Sequence, residues 1–280
     1  ILSEEIAPDD WAHIITAVAN RIAAGTATGI IIAHGTATLS YTAALLFWLF
    51  SDSGVPVVIT ASSTTPDKSS ESSINLHLAT EIACRENNGV YVVYGGKVLS
   101  PLNLKFERPT PDGFVNWNMP TPVFENSGSI ATQFSGFIDL DTFVIKQILQ
   151  EAANKMMVCR VYPGLNAEHY LTLVKEGINR IFLELYETGT GSMRNGNYSL
   201  KPLLIKGKKQ GCRFYCTSQQ QCSTDFSEYT TSRRVWREGA VPMGRLTTES
   251  AIALYFAAII ICDTVEELDQ CMEVYADAWS

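Results

Sequence analysis

The chain has 280 residues, of which 46% are hydrophobic and 18% charged, with a formal net charge of -8. That length allows one large globular domain or two ordinary ones. The acidic balance speaks against nucleic acid, which selects basic surfaces, and no apolar run reaches the roughly 18 residues a membrane helix needs.

The first residues, "ILSEEIAPDDW", form neither a signal nor a transit peptide. "APDDWAHIITAVANRIAAG" follows, with Pro8 and two acids early, an apolar stripe and a closing glycine, which are helix start and stop signals. "TGIIIAHGT" is a short apolar run ending in a turn and predicts a buried parallel strand. "SYTAALLFWLFSDSG" predicts the next helix and "VPVVITASS" the next strand. "SINLHLATEIACRENNG" predicts a helix closing at Gly89, and "VYVVYGGKVLSP" a strand that turns at Gly95 and Gly96.

From Asn118 to about Lys155 the pattern loosens into prolines, glycines and isolated apolar residues, which predicts a domain connection. "MMVCRVYPG" opens a second alternation, with helices expected in "AEHYLTLVKEG" and "SLKPLLIKGKKQG" and strands in "INRIFLELYETGTG" and "CRFYCTS". "TTESAIALYFAAIIIC" predicts a buried helix and "VEELDQCMEVYADAW" a last one. Alternating strands and helices predict an α/β protein of two domains, each a mainly parallel sheet flanked by helices. The expected domains span residues 1–125 and 156–280, joined by a connection over 126–155.

Seven cysteines are an odd number, and most sit in apolar or strand-like settings (Cys84, Cys159, Cys262, Cys271), as buried thiols of a reducing cytosol would. Cys212, Cys216 and Cys222 lie close together, but no CxxC occurs and no histidine is near, so no metal site is expected.

Chemistry is expected at the carboxyl ends of parallel strands, where open sheets bind ligands. Three such ends carry polar residues: "HGTAT", the hydroxyl-rich "TASSTTPDKSS", and the segment after "YVVYGGKVLS" that leads to Lys105. A threonine hydroxyl becomes nucleophilic when a neighbouring base takes its proton, and a desolvated lysine can be that base. Thr36 and Lys105 are therefore a candidate activation pair. The plainer reading is that strand-end threonines cap helices, with Thr38 capping the next one. His34 is read as packing at the strand end and orienting the turn.

Residue identities weigh in as well. "ILSEEIAPDDWAHI", "GIIIAHGTATLSYTAALLFWL", "VPVVITASS" with "SSESSINLHLATEIA", then "VYPG", "YETGTGS", "CTSQQ" and "EGAVPMGRLTTESA" stand in this order. Together they resemble the bacterial-type L-asparaginase family, in particular its cytosolic type I branch and the glutaminase subunit of the archaeal glutamyl-tRNA amidotransferase. The resemblance implies an asparaginase-like fold that hydrolyses a side-chain carboxamide of Asn or Gln to acid and ammonia, with no metal or organic cofactor. It also implies a cytoplasmic homodimer or homotetramer, in contact with nucleic acid only through an amidotransferase-like complex. Thr36 matches the second of the family's two catalytic threonines, and Lys105 its lysine partner. Ser3 matches the serine that accepts the substrate's α-carboxylate, Ser62 the small residue that presents backbone to the amide, and Gly35 part of the HGT turn.

The departures are as informative. The family's TGGT-type loop with the attacking threonine, its first strand and its first helix do not appear ahead of Ser3. Ala37 stands where an acid holds the substrate's α-ammonium, and Glu4 stands beside Ser3 where the family is neutral. "ASSTTP" replaces GSQRP, and Ser192 replaces an asparagine. Losing the acid removes a charge-assisted bond of roughly 1.5–3 kcal/mol. Three explanations fit: a fragment or processed chain whose loop is missing or supplied by another chain, an engineered Asp→Ala change at Ala37, or a divergent homologue. The last would act on an amide whose α-amine is blocked, as in a peptide, or would serve as a catalytically dead binding or scaffold subunit. Three arginines near Trp236, in "SRRVWRE", read as a solvated face or subunit contact rather than a carboxylate or RNA site.

Overall fold

A computed structural model describes residues 2–63, 70–110, 112–118 and 141–278. The chain divides into two compact units, Ile1–Gln150 with Ile252–Asp263, and Glu151–Ala251 with Thr264–Ser280.

In the first unit a 3-10 turn at Ser3–Glu5 precedes helix α1 (Pro8–Ala23), whose first turn holds Pro8, Asp9 and Asp10. Proline at the first helical position and acids at the positive end of the macrodipole both favour a start there. Strand β1 (Ile30–Ala33), helix α2 (Leu39–Phe50), strand β2 (Val57–Thr60), helix α3 (Glu71–Arg85) and strand β3 (Val90–Tyr94) alternate as the sequence predicts, and Gly95–Gly96 turn the chain into β4 (Lys97–Leu99). The sheet order is β1-β2-β3-β4, parallel except for the last pair.

β1 corrects one expectation. It is not fully buried: its side chains alternate between half-buried and exposed, and Ile31 is 36% exposed. The reason is its place at the sheet edge, where β2 is its only strand partner among the described residues. β2, flanked on both sides, is buried throughout. Helix α3 ends at Arg85 rather than Gly89.

A hairpin of β5 (Leu104–Phe106) and β6 (Phe114–Asn116) follows. Asn116 fixes the approach to it, accepting from the Ser100 amide and donating to the Ser100 and Leu102 carbonyls. The Phe114 ring packs edge-on to Tyr94 of β3, 4.8 Å between centroids. Within the loosely patterned region, helix α4 (Thr142–Asn154) buries Ile145, Leu149 and Ala152, a spacing of four and three residues that marks an amphipathic helix. Residues 119–140 of the expected connection lie outside the described residues.

The second unit holds β7 (Met156–Arg160), α5 (Ala167–Lys175), β8 (Arg180–Leu185), α6 (Lys201–Lys209), β9 (Arg213–Ser218), α7 (Thr230–Arg237) and β10 (Val241–Pro242). Its sheet is parallel throughout, in the order β10-β9-β8-β7. Ile181, Leu183, Leu185, Phe214 and Cys216 from the sheet pack with Leu171, Val174, Leu203, Leu204 and Val235 from helices α5 to α7. Helix α8 (Thr248–Ile261) is buried along most of its length, as its composition predicts, and α9 (Val265–Ala278) closes the chain. Asp269 of α9 accepts from Arg213 Nε at 2.7 Å, Tyr215 OH at 3.3 Å and Arg180 Nη2 at 3.4 Å, which ties this helix to β8 and β9. No described helix is long and apolar enough to cross a membrane.

The thiols are less uniformly buried than expected. Cys159, Cys212 and Cys216 are buried, Cys222, Cys262 and Cys271 are half-buried, and Cys84 is exposed, because it falls on the outer face of α3, beside rather than within its buried stripe. Cys212 Sγ lies 3.3 Å from the Ile178 carbonyl, and Cys222 Sγ the same distance from Ser218 Oγ. No group of three or more His, Cys, Asp or Glu among the described residues is placed to hold a metal ion.

Candidate functional site

β1 and β2 are in register from Ile30↔Val57 to Ala33↔Thr60, and the His34 amide continues the ladder by donating to the Thr60 carbonyl at 2.8 Å. The chain therefore leaves both strands at the same carboxyl end, placing His34–Thr38 beside Ala61–Ser63. This is the end of a parallel sheet where ligands bind.

Ser3 is brought onto the first of these turns. Its hydroxyl accepts from the Ala37 amide at 3.2 Å, and its carbonyl accepts from the Thr38 hydroxyl at 2.7 Å. Gly35 makes the contact sterically possible, since a Cβ there would lie 2.7 Å from Ser3 Cβ, closer than carbon atoms approach. The Thr38 hydroxyl does not cap α2: Thr38 occupies the N-cap position without a side-chain cap bond, because its hydroxyl is given to Ser3.

His34 is held by hydrogen bonds that set its tautomer. Nδ1 faces the Gly35 carbonyl at 2.7 Å and so carries the proton, leaving Nε2 to accept from the Thr42 hydroxyl at 3.1 Å. Thr42 in turn accepts from Trp11 Nε1 at 3.0 Å. This relay joins α1, the turn and α2, and it uses a neutral imidazole. Burial pushes the His34 pKa below the usual histidine value, partly offset by the Gly35 carbonyl. His34 orients the turn, as the sequence reading holds.

Thr36 differs from its neighbours. It is half-buried, and among the described residues no hydrogen bond engages its hydroxyl. Ala37 is exposed beside it, and Glu4 is exposed in the turn that carries Ser3. Ser62 is half-buried just beyond β2. Thr64–Ser69, including Lys68, lie outside the described residues.

Lys105 sits on β5, paired across the hairpin with Val115, and its Nζ lies 5.1 Å from the centre of the Trp117 ring. Helix α2, which starts at the Thr36–Thr38 turn, packs against β5. The described hydrogen bonds thus join Ser3 to the turn, while Lys105 is described through its place on the hairpin and over Trp117.

Two residues of the second strand end escaped the sequence reading. Asn75 of α3 is almost fully buried, donating to the Ala61 carbonyl and accepting from the Gly96 amide, both at 2.8 Å. It fixes the β2 end against the β3–β4 turn. Glu71, in the first turn of α3, accepts from the Ser63 amide at 3.1 Å and from the Ser63 hydroxyl. The signal available for Asn75 is its place on the stripe Asn75–Ala79–Ile82–Ala83, where a polar side chain must find buried partners.

Comparisons with known proteins agree with this architecture. Residues 1–131 match the family described as "Asparaginase, N-terminal". The chain is 26% identical to a glutamyl-tRNA(Gln) amidotransferase subunit from Pyrococcus abyssi, over 97% of this chain and 63% of that protein. It is 27% identical to the protein of the same name in Thermoplasma acidophilum, over 89% of this chain and 60% of that one. The chain therefore spans about three fifths of the length of these curated relatives. Among solved structures, the thermostable L-asparaginase of Thermococcus kodakarensis superposes with a TM-score of 0.76 at 23% identity, covering 97% of this chain and 81% of that one. L-asparaginase I of Vibrio cholerae gives 0.74 at 21% identity, covering 98% and 82%. These structures share the fold, an α/β architecture of parallel sheets flanked by helices.

Proposed function

We propose that this chain, whose residues 1–131 match the family described as "Asparaginase, N-terminal", is a side-chain amidohydrolase whose site lies at the carboxyl ends of β1 and β2. The observation that carries this reading is the Thr36 hydroxyl. Among the described residues it stands unengaged, in a turn that Ser3, Gly35 and His34 hold in place, while its neighbour Thr38 is consumed by structure.

In this reading a threonine hydroxyl attacks the carboxamide carbon, the C–N bond breaks, ammonia leaves, and water hydrolyses the resulting ester. Thr36 and Lys105 form the proton-handling pair, with Lys105 as base. Ser3 and Gly35 shape the carboxylate end of the substrate, and Ser62 presents backbone to the amide. Ala37 offers no charge to an ammonium, so the substrate is an Asn or Gln whose α-amine is already blocked, as within a peptide. Glu4, exposed in the turn that carries Ser3, either reaches that amine end from the other side or repels a free carboxylate. The relatives' name, which makes them part of an amidotransferase, supports an ammonia-donating form of the same chemistry, in a homo-oligomer of cytoplasmic type.

Ala37 also favours a second reading, a binding subunit that recognises the amide without turning it over. Lys105→Met separates the two. If the site is catalytic, this change abolishes ammonia release by the full-length protein while the thermal midpoint stays near its original value. Retained turnover removes Lys105 from its role, and a folded wild-type protein that binds amide-bearing peptides without releasing ammonia establishes the second reading.

A further inference from the structure

The charge of this protein is unevenly distributed. Residues 193–245 carry ten lysines and arginines against three acids, in a chain whose net charge is -8. Some of these cations serve the fold: Arg213 is paired with Asp269, Lys206 with Glu168, and Arg234 donates to the Met193 carbonyl. Arg194, Lys208, Lys209, Arg233 and Arg237 are exposed.

The segments that carry these five are joined to one another within the second unit. The bond from Arg234 ties α7 to the loop that carries Arg194. Lys201, at the start of α6, reaches Asn195 of that loop at 3.0 Å. At its other end α6 meets the turn that follows α7, since Lys208 Nζ lies 2.6 Å from where a Cβ on Gly239 would stand. Along α7, Arg233 lies four residues after Tyr229, and Trp236 and Arg237 lie three and four after Arg233, so they form one stripe. Tyr229 is 46% and Trp236 59% exposed on it. Like charges at Arg233 and Arg237 repel one another on a helix surface, and an exposed indole forgoes burial. What the fold gains is one bond, from Arg233 to the Ser227 carbonyl at 2.7 Å.

We propose that this face binds RNA, independently of the amidase reading. The five cations contact phosphates, and Trp236 offers a plane on which a base stacks. Arginine among exposed aromatic rings suits single-stranded nucleic acid, where stacking and backbone charge act together. The net acidity of the whole chain is compatible with this, because binding responds to the local patch.

The test is fluorescence anisotropy of a labelled oligouridylate with the full-length protein across a salt series. Binding is expected to weaken with salt at a log–log slope of about -3.5, from five phosphate contacts at about 0.7 each. R233E/R237E is expected to weaken binding at least about tenfold and to flatten the slope. W236A is expected to weaken it several-fold with the slope unchanged. Should R233E/R237E unfold, K208E/K209E on the neighbouring helix carries the same expectation. The proposal is overturned by no binding to the wild type, or by binding that these folded variants leave unchanged. It is equally overturned if polyglutamate displaces the probe as well as unlabelled RNA does and W236A has no effect. A fall in oligomer mass in R233E/R237E, without RNA binding by the wild type, assigns the face to a second copy of the chain and overturns it too.

Discussion

Parallel strands in both sheets of this protein end in hydroxyls, but the two sheets use them in opposite ways. In the second unit, Thr217 and Thr248 are buried and 2.8 Å apart, and the Thr248 hydroxyl meets Glu184 Oε1 at 2.7 Å. Gln219 closes the same end by donating to the Val161 and Glu184 carbonyls, both at 2.8 Å. In the first unit, Thr38 and Thr42 are likewise consumed, but the Thr36 hydroxyl beside them is not, among the described residues. Composition cannot tell these threonines apart. What separates a scaffold hydroxyl from a candidate catalytic one is whether the surrounding fold has already taken its hydrogen bonds.

Perturbing each end sharpens that contrast. The largest effect is expected on activity, from Thr36→Val. Loss of an acid–base partner in the transition state costs roughly 10²–10⁴-fold, so ammonia release should fall in that range while the thermal midpoint stays within the scatter of surface substitutions. Thr248→Val should do the reverse. It removes a donor from the half-buried Glu184 and should cost about 1–3 kcal/mol of stability, read from chemical denaturation.

Gly35→Ala tests the seat of Ser3. A Cβ driven into Ser3 should cost about 1–3 kcal/mol by overpacking and should also impair substrate binding, seen as a raised KM. Ala37→Asp introduces a carboxylate at the position where the resemblance places an acid. It should shift preference toward free asparagine over its amine-blocked form by about tenfold to a hundredfold, the range of one charge-assisted bond.

The smallest effect concerns His34. Its pKa is lowered in the folded state, so the unfolded chain binds the proton more readily. Stability is therefore complete above the unfolded value of about 6.5 and declines as pH falls through it. Thermal midpoints from neutral to mildly acidic pH should drop more steeply for the wild type than for His34→Gln.

Much of the first unit was legible in the sequence because period and punctuation agree there. Pro8 with two acids, the run Ile30–Ile32 before His34, and the glycine pair at 95–96 each mark an element boundary that the fold respects. The partial exposure of β1 was not legible. An apolar tetrapeptide reads as buried whether or not a neighbour covers its edge, because pairing partners are set by topology rather than by the strand itself. Helix α4 was hidden behind the prolines that precede it, although Ile145, Leu149 and Ala152 have helical spacing. Thr38 was read as a cap because its position is a cap position. Only the arrival of Ser3, 35 residues away in sequence, redirects its hydroxyl. The candidate site was visible as residue types at one strand end, while Asn75 and Glu71, which position the neighbouring end, act through contacts that no local pattern encodes.

The reading of the first unit as an amidase site stands or falls on ammonia. The decisive measurement is ammonia release by the full-length protein from asparagine, glutamine and the same residues within short peptides, with Thr36→Val assayed beside it. The account predicts release that favours the amine-blocked amides and that falls by roughly 10²–10⁴-fold in Thr36→Val at an unchanged thermal midpoint. Equal release by the folded Thr36→Val variant, or none from any of these amides by the folded wild type, would contradict it.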